Sequence, residues 1–344
     1  RGRSITIVDA LLRDRWLGGW SELIELAFRE GVSSIDFRSS GTTQTPTTTT
    51  HQLSHLHDEA QHFAERFDQH LGGLQRFVAA LPAHHIYGFI HSVLVPHNLG
   101  LPVVDAEFSL PSSVIRNAQP GDVIIATPTA WERLAAAAST PLPRGIHGVS
   151  SGAPMPKDLW TQLQTKGITS LTEVYGSTET AGIATRSDHD APWSLLSTWR
   201  RVDETHVQRA ADPTSHVQLP DRVAWNTDDT FTLQGRLDGA VQVAGVNVVP
   251  DAVSKAITAI PGVRACAVRP TGQGPSSRLK AFIVPESDHE ATQLATRVRD
   301  WCTRTLPAPQ RPVTITTGPA IPTGPLGKPC DWTDAAGYTT AMGA

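Results

Sequence analysis

Residues 171–179 have the sequence LTEVYGSTE and are the most informative nine residues of the chain. Their apolar and aromatic members predict a short buried strand: Leu171, Val174 and Tyr175. Gly176 predicts a sharp turn after the strand, because glycine allows a close approach of the backbone to a ligand. Two hydroxyls and a carboxylate follow it: Ser177, Thr178 and Glu179. Such groups suit phosphate oxygens and Mg²⁺, so the stretch is typical of a nucleotide-binding turn, although an ordinary strand-to-loop turn can have the same residues.

A second hydroxyl-rich segment follows a short predicted strand at residues 35–38 and reads SSGTTQTPTTTT over residues 39–50. Small residues leave backbone N–H groups and hydroxyls free to bind oxyanions, which is typical of a loop that binds phosphate. A flexible linker rich in serine, threonine and proline would have the same composition. Both interpretations of this segment stay open when it is considered by itself.

These two segments, with residues 39–50 before residues 171–179 in the chain, resemble segments of the adenylate-forming superfamily. This superfamily includes acyl- and aryl-CoA synthetases, adenylation domains of peptide synthetases and luciferases. YGSTE is similar to the Tyr-Gly-x-Thr-Glu element of that family. The resemblance implies that Tyr175 stacks on adenine, that Thr178 contacts the α-phosphate of ATP and that Glu179 holds Mg²⁺. It also assigns four neighbouring positions to the nucleotide site: Glu173, Val174, Gly176 and Ser177.

The segment at residues 39–47 is similar to the family's loop that grips the β- and γ-phosphates of ATP. Six positions match this loop: Ser39, Ser40, Gly41, Thr42, Thr43 and Pro46. Two positions differ, since Gln44 replaces a glycine and Thr47 replaces a lysine. Loss of the lysine removes a positive charge from the pyrophosphate side, and this difference bears on the rate of ATP use more than on the fold.

The acyl pocket is expected at residues 81–96, LPAHHIYGFIHSVLVP, which resemble the family's Leu-Pro-x-x-His-x-x-Gly segment. In the family, the histidine or a neighbouring aromatic residue borders this pocket. His85 and Gly88 take the matching positions, and Tyr87 is a candidate pocket wall. His85 is also counted among the candidate catalytic residues. The alternative is a core helix whose histidine is hydrogen-bonded to a backbone group.

Residues 150–156, SSGAPMP, resemble the family's Gly-Ala-Pro turn, which lies along the adenine and one side of the acyl pocket. The resemblance assigns nucleotide contacts to Gly152, Ala153 and Pro154. It also assigns four small residues to the acyl pocket: Ser151, Gly152, Gly176 and Gly182.

Residues 220–239 contain the expected ribose site. Asp221 lies 14 residues before Gly235, the separation expected for the family's ribose-binding aspartate, whose two oxygens can accept both ribose hydroxyls. Residues 228–229 predict the turn of a hairpin, and either aspartate there is another candidate for the ribose contact. Arg236 matches the arginine that reaches the ribose or α-phosphate, and a structural ion pair between Asp221 and Arg236 is the alternative.

The C-terminal part contains a candidate hinge and a candidate catalytic lysine. By resemblance, Asp238 is the hinge about which a C-terminal domain swings between adenylation and thioester formation. Residues 321–329, IPTGPLGKP, present Lys328 in a loop with two glycines. This lysine matches the one that polarises the acyl carboxylate and stabilises charge at the α-phosphate. A solvated loop lysine is the alternative.

Alternating strands and helices between residues 100 and 150 predict βαβ units. We therefore expect a large α/β N-terminal domain with mainly parallel sheets over residues 1–236, a hinge at 237–240, and a small mobile α+β C-terminal domain over 241–344. Residues 186–220 have no regular pattern, and no chemistry is assigned to them. At 344 residues the chain is shorter than usual members of the superfamily, chiefly in its N-terminal half.

The composition restricts the possible partners. A formal net charge of −4 gives no basis for binding nucleic acid or an anionic membrane, and no apolar run approaches the ~18 residues that span a bilayer. No signal peptide is recognised, and Cys266, Cys302 and Cys330 have no CxxC spacing, so we expect a cytoplasmic protein with reduced thiols. In a predicted helix over residues 51–80, His51 and His55 have the i, i+4 spacing of a metal pair, but solvated histidines are the simpler interpretation.

The resemblance implies that ATP and Mg²⁺ activate a small-molecule carboxylic acid, aryl or short acyl, as an acyl-adenylate. The acyl group then passes to a thiol, either coenzyme A or the phosphopantetheine of an acyl carrier protein. The altered phosphate loop favours an alternative, a degenerate homologue that binds nucleotide or a partner protein without turnover. A third possibility is thioester transfer without ATP.

Overall fold

The computed structural model describes residues 31, 33–38, 48–237, 239–244, 246–272, 277–287, 291–322, 331–332 and 339–342. The chain divides into two compact units, Arg1–Gln234 and Gly235–Ala344. This division falls just before the expected hinge at residues 237–240, of which Asp238 lies outside the described residues. Within the ranges above, no helix has both the length and the apolar character needed to cross a membrane.

The first unit begins with two short antiparallel strands, β1 (Ser34–Arg38) and β2 (Thr48–Gln52), and a long helix, α1 (Leu53–His70). Apolar residues at helical spacing bury one face of α1: Leu53, Leu56, Ala60, Phe63, Ala64 and Phe67. The prediction of one helix over residues 51–80 is wrong at both ends, because His51 lies in β2 and a strand follows α1. His51 and His55 therefore share no helix face.

The other strands of this unit, in chain order, are β3 (Arg76–Ala79), β4 (Val103–Asp105), β5 (Asp122–Ala126), β6 (Ile146–Ser150), β7 (Ile168–Ser177), β8 (Ala181–Arg186), β9 (Trp193–Leu195), β10 (Trp199–Arg201), β11 (His206–Arg209), β12 (Asp212–Gln218), β13 (Asp221–Trp225) and β14 (Thr230–Arg236). Its other helical segments are α2 (Ile86–Phe89), a π-helical segment (Ile90–Leu94), α3 (Val95–Leu99), α4 (Pro111–Arg116), α5 (Pro128–Ala137) and α6 (Lys157–Thr165). The last two residues of β14 already belong to the second unit.

Nine strands form one sheet in the order β13-β14-β9-β8-β7-β6-β5-β3-β4. The run from β4 to β7 is parallel, which confirms the predicted βαβ units. The pairs β7–β8, β8–β9 and β9–β14 are antiparallel, so the sheet is mixed and only one half of it is parallel. Because ligands of parallel sheets bind beyond the carboxyl ends of the strands, the ends of β5, β6 and β7 are where a site is expected.

Residues 186–220 are regular, and the prediction of an irregular stretch is wrong. They contain β9 and a three-stranded sheet in the order β10-β11-β12. These strands bury large apolar side chains, among them Trp193, Trp199 and Val207. Three of these four strands, β9, β10 and β11, have only three or four residues, which is too short to establish a clear alternation in the sequence.

The helical segment that follows the predicted pocket motif buries a histidine. His91, in the π-helical segment, is 1% exposed, and neither of its ring nitrogens has a hydrogen-bond partner among the described residues. The centre of its ring lies 4.5 Å from the centre of the Phe63 ring and 5.1 Å from the centre of the Tyr87 ring. Burial in this apolar surrounding lowers the pKa of His91 to about 3.

Because His91 is buried without a hydrogen-bond partner among the described residues, we expect the folded protein to lose stability in acid. Between pH 6.5 and 3 the unfolded chain binds a proton at this position that the folded chain does not bind, so the free energy of unfolding falls as the pH falls. We expect that His91→Leu, which loses no hydrogen bond, reduces this loss by about 2 kcal/mol at pH 5. Urea unfolding at pH 7 and pH 5 measures the difference. The exposed His216→Asn is the control, and equal pH dependence in wild type and His91→Leu would contradict the prediction.

The second unit is a small α+β domain, as the sequence predicted. Its elements are β15 (Val241–Val243), β16 (Val246–Val248), α7 (Pro250–Thr258), β17 (Val263–Pro270), β18 (Leu279–Pro285), α8 (Ala291–Thr305), β19 (Pro312–Thr317) and β20 (Thr339–Met342). The last four strands form one sheet in sequence order. Lys280 is fixed in this unit, because its Nζ lies 2.6 Å from a carboxylate oxygen of Asp331 and donates to the carbonyl of Trp332 at 3.1 Å.

Candidate nucleotide site

The hairpin formed by β7 and β8 presents the residues of the central motif. β7 continues through Gly176 to Ser177, so the chain turns at residues 178–180 and the predicted turn at Gly176 is wrong. Glycine is required at 176 for another reason: a Cβ there would lie 2.0 Å from the carbonyl oxygen of Ala181 on the paired strand. We call residues 177–182 the clamp turn.

Two predicted nucleotide residues meet at this sheet. The hydroxyl of Tyr175 donates to Oδ2 of Asp221 at 2.7 Å. β13, which begins with Asp221, is four strands from β7 in the sheet order, a separation of about 19 Å in a flat sheet. The antiparallel half of the sheet must therefore curl back toward β7. Tyr175 is 8% exposed, and its ring contacts the rings of Trp193 and Phe231.

Thr178 and Glu179 are the first two residues after β7 in the clamp turn. Thr178 is half-buried and Glu179 is exposed. Within the described part of the chain, the carboxylate of Glu179 has no hydrogen bond or ion pair, and no group of three His, Cys, Asp or Glu that could hold a metal ion is found. One unengaged carboxylate fits Mg²⁺ that takes its other ligands from phosphate and water, and it does not fit a metal held by protein side chains alone.

The predicted phosphate loop starts and ends on a hairpin that is bonded to the clamp turn. Arg38 and Thr48 are paired across β1 and β2, so the two ends of residues 39–47 are held side by side. His51 in β2 donates from Nε2 to the carbonyl oxygen of Thr178 at 2.7 Å, which joins this hairpin to the clamp turn. The loop's candidate residues lie outside the described residues: Ser39, Ser40, Gly41, Thr42 and Thr43.

The turn at residues 151–155 follows the carboxyl end of β6 and is anchored to β7. The hydroxyl of Ser151 donates to the carbonyl of Val174 at 2.8 Å, and the N–H of Met155 donates to Glu173 at 2.8 Å. Gly152 has φ +89°, a conformation that favours glycine, and Ala153 and Pro154 are at least partly exposed beside it.

Glu173 holds this turn in place. Its carboxylate is 1% exposed and lies 2.7 Å from Nη2 of Arg186, and burial raises the pKa of Glu173 above its usual value. Because both of its oxygens are engaged with Met155 and Arg186, its side chain supports the turn and is not presented to a ligand.

The predicted acyl-pocket residues lie near the end of β5. The hydroxyl of Tyr87 donates to the carbonyl of Ala126, the last residue of β5, at 3.3 Å. A Cβ at Gly88 would lie 2.1 Å from the carbonyl oxygen of Pro82, so glycine is required by close packing. His85 is exposed and immediately precedes α2. Ala126 pairs with Ser150 of β6, which places Tyr87 at the same sheet edge as the turn at residues 151–155.

The comparison with known proteins assigns the family. A family model described as AMP-binding enzyme matches residues 38–209, which include the phosphate-loop segment, the clamp turn and the segments between them. This chain belongs to the AMP-binding enzyme family.

Relatives of this AMP-binding enzyme match over most of their length. It is 39% identical over 335 residues to a 4-coumarate–CoA ligase of Rhodobacter capsulatus, covering 95% of this chain and 84% of the relative. It is 35% identical over 326 residues to a 4-coumarate–CoA ligase of Halorhodospira halophila, covering 94% and 81%.

Solved structures share the fold. An o-succinylbenzoate CoA synthetase from Bacillus subtilis matches with a TM-score of 0.65 at 20% identity, over 86% of this chain and 67% of that chain. The amide bond synthetase McbA from Marinactinospora thermotolerans matches with a TM-score of 0.64 at 19% identity, over the same shares. Both therefore support the adenylate-forming fold expected from the sequence.

The sequence interpretation missed a set of buried side chains under the clamp turn of this AMP-binding enzyme. The N–H of Gly182 donates to both carboxyl oxygens of Glu59 on α1 at 3.0 Å. The indole N–H of Trp199 donates to the carbonyl of Gly182 at 2.7 Å. A carboxylate on the apolar face of α1, between Leu56 and Phe63, was the one sequence signal of this arrangement.

Arg209 supports the middle of the turn. Its Nη2 donates to the carbonyl of Thr180 at 3.0 Å, and its guanidinium lies 4.4 Å from the centre of the Trp199 ring. Arg209 is 7% exposed, and burial lowers the pKa of its guanidinium. We call the four supporting residues the platform: His51, Glu59, Trp199 and Arg209.

Besides the phosphate-loop residues 39–43, three predicted site residues are not placed with the others. Arg236 ends β14 and belongs to the second unit. Asp238 and Lys328 lie outside the described residues. The structure thus brings Tyr175 and Asp221 together in the first unit, and Thr178 and Glu179 follow Tyr175 in the clamp turn.

Proposed function

We propose that this enzyme activates an aryl carboxylic acid with ATP as an acyl-adenylate and transfers the acyl group to coenzyme A. The hydrogen bond between Tyr175 and Asp221 carries the proposal, because it joins the motif expected at adenine with the aspartate expected at ribose. The clamp turn follows Tyr175 directly in the chain, and the hairpin that carries the phosphate-loop segment is bonded to this turn through His51. Membership of the AMP-binding enzyme family supports the same activity.

The substrate is proposed to be a hydroxycinnamate-type acid. Two relatives that match at least 94% of this chain are named 4-coumarate–CoA ligases. Tyr87 lies in α2, and its hydroxyl is bonded to the carbonyl of the last residue of β5. Its half-buried aromatic ring would form a pocket wall that suits an aryl group. Coenzyme A is proposed as the acceptor, and the phosphopantetheine of an acyl carrier protein is the second candidate because it presents the same thiol.

In the first step a carboxylate oxygen attacks the α-phosphorus of ATP. The new bond is the acyl–phosphate P–O bond, and the bond to pyrophosphate breaks, so acyl-AMP and pyrophosphate form. We assign the ribose hydroxyls to Asp221 and the α-phosphate to Thr178, whose carbonyl is fixed by His51. Lys328 is assigned to the acyl carboxylate and the charge that develops beside it.

Glu179 is the residue that would hold Mg²⁺, an ion that neutralises phosphate charge when it is bound. In the second step the thiol sulfur attacks the acyl carbon. The thioester C–S bond forms, the C–O bond to AMP breaks, and the thiol proton is released. We propose that the second unit moves about Asp238 between the two steps.

Exchange of labelled pyrophosphate into ATP tests the first step. With 4-coumarate, other hydroxycinnamates, benzoates and short fatty acids as separate substrates, we expect exchange with the hydroxycinnamates. Thioester formation with coenzyme A and with a phosphopantetheinylated carrier protein identifies the acceptor. Absence of exchange with every acid, together with measurable nucleotide binding, would support the degenerate homologue suggested by Thr47.

Asp221→Asn is expected to raise the KM for ATP about tenfold or more, because it removes a charged acceptor of the ribose hydroxyls, with little change in kcat. Steady-state kinetics at saturating acid measure the effect. Asp229→Asn is the matched control, since Asp229 is exposed in the β13–β14 connection and is the other aspartate that the sequence allows for this contact. A high KM in Asp229→Asn and a normal one in Asp221→Asn would reassign the ribose site.

A further inference from the structure

We propose that Glu59 is a positioning residue that sets the conformation of the clamp turn, and with it the placement of Thr178 and Glu179. This inference rests on the proposed function, since the turn matters only if those two residues meet the nucleotide. Glu59 touches the backbone of the turn and is not expected to touch the substrate.

The platform supplies hydrogen bonds that the turn cannot supply for itself. Within the turn, the N–H of Ser177 donates to the hydroxyl of Thr180 at 3.0 Å and the N–H of Glu179 donates to the hydroxyl of Ser177 at 3.2 Å. The carbonyls of Thr178, Thr180 and Gly182 and the N–H of Gly182 are bonded to platform side chains instead. A buried backbone group without a partner is unfavourable, so removal of one platform residue leaves one of these groups unpaired.

The backbone of the turn adopts a conformation that its own sequence does not favour. Ala181 has φ +61°, in the left-handed region that residues with a Cβ rarely adopt. Such a conformation persists only where the surroundings enforce it. The next residue is Gly182, whose N–H is bonded to Glu59 and whose carbonyl is bonded to Trp199. These two hydrogen bonds therefore fix the backbone directly after the left-handed residue.

The side chain of Glu59 is closely packed against the backbone of the clamp turn. A Cβ at Gly182 would lie 2.4 Å from Oε1 of Glu59. The carboxyl group therefore packs directly on the backbone of the turn, and Glu59 is 1% exposed. A shorter side chain would leave a gap and an unpaired N–H, and an apolar side chain of equal length would leave the N–H unpaired.

The position of Glu59 also couples the two phosphate-binding segments. α1 follows β2 directly, and β2 is the strand that leaves the predicted phosphate loop. His51 in β2 holds one end of the clamp turn and Glu59 in α1 holds the other. A rigid strand and helix thus fix both ends of the turn relative to the end of the loop.

The pH dependence gives a readout that a purely structural role would not give. Burial raises the pKa of Glu59 to about 8, so at pH 7 the side chain is mostly a neutral acid. Ionisation above pH 8 places a carboxylate beside Arg209 and weakens the bond from Arg209 to Thr180. The other titratable groups around this position come from β2, α1, the clamp turn and β12: His51, His55, Asp58, Glu179 and Asp212. Burial lowers the pKa of His51 and His55, so these two titrate at lower pH.

Three variants test the proposal. Glu59→Leu is expected to lower the exchange rate at pH 7 about tenfold to a hundredfold through a shift of the turn of about 1 Å. Glu59→Gln keeps the acceptor and is expected to retain activity within about threefold of wild type, because neutral hydrogen bonds are close in strength. The matched control is Glu65→Leu, an exposed glutamate on the same helix, for which wild-type kinetics are expected.

The pH profile adds a second measurement that does not need Glu59→Leu to fold. The KM for ATP of the wild type is expected to rise between pH 7 and pH 9, and that of Glu59→Gln is expected to stay level. Equal profiles, or normal exchange in folded Glu59→Leu, would overturn the proposal. If the wild type itself shows no pyrophosphate exchange, the proposed function fails. Amide hydrogen exchange of the clamp-turn peptide then decides this inference. Faster hydrogen exchange in Glu59→Leu than in Glu59→Gln supports it, and equal hydrogen exchange in the two variants overturns it.

Discussion

Replacing Lys328 by alanine is expected to slow acyl-adenylate formation by about a hundredfold to a thousandfold, the cost of losing one group that stabilises developing charge. The negative charge of the carboxylate and of the α-phosphate must come together in this step. The phosphate-loop segment has threonine at residue 47 where a lysine is expected, so fewer cations are available to offset this repulsion. Lys280, the other lysine near the C-terminus, is bound to Asp331 and Trp332 and is not available to replace Lys328.

Separate assays of the two half-reactions locate the effect of Lys328→Ala. Pyrophosphate exchange should fall, whereas transfer from chemically prepared acyl-AMP to coenzyme A should be nearly unchanged. Lys255→Ala is the matched control, because Lys255 is an exposed lysine on α7 of the same unit. Normal thioester formation from free acid in Lys328→Ala would remove Lys328 from the mechanism.

The parts of the site that the sequence predicted are those determined by local residue patterns. The buried strand at Leu171, Val174 and Tyr175 was predicted from apolar residues alone, and all three are buried. The family resemblance, with its spacing to Gly235, assigned the ribose contact to Asp221; the structure places Asp221 beside Tyr175, and the contact with ribose stays a prediction. Their direct hydrogen bond was not predictable, because it depends on the curl of a sheet in which their strands are four places apart.

The parts that the sequence did not predict depend on contacts between distant segments. Glu59 and Gly182 are 123 residues apart in the chain, and Arg209 and Trp199 lie in strands too short to show a period. Gly176 was correctly singled out and wrongly explained. Its need for glycine comes from the carbonyl of Ala181 on the next strand, which no pattern along the chain reveals.

Glu179→Gln is expected to lower the exchange rate about a hundredfold at low Mg²⁺, because a neutral amide of the same shape is a poor ligand for a hard cation that offsets several kcal/mol of phosphate charge. The carboxylate is exposed, and it has no hydrogen bond or ion pair within the described residues, so its removal disturbs no internal bond. The expected signature is a higher Mg²⁺ concentration for half-maximal exchange, with partial recovery at high Mg²⁺.

Binding of ATP measured by calorimetry with and without Mg²⁺ provides a readout that is independent of turnover. In the wild type, Mg²⁺ should strengthen ATP binding, and in Glu179→Gln this enhancement should be lost, whereas Glu65→Gln should behave as wild type. An unchanged Mg²⁺ dependence in Glu179→Gln would contradict the assignment. It would mean that the ion is held by ATP alone, and that the clamp turn acts on the nucleotide through the hydroxyl of Thr178 and the backbone that the platform holds in place.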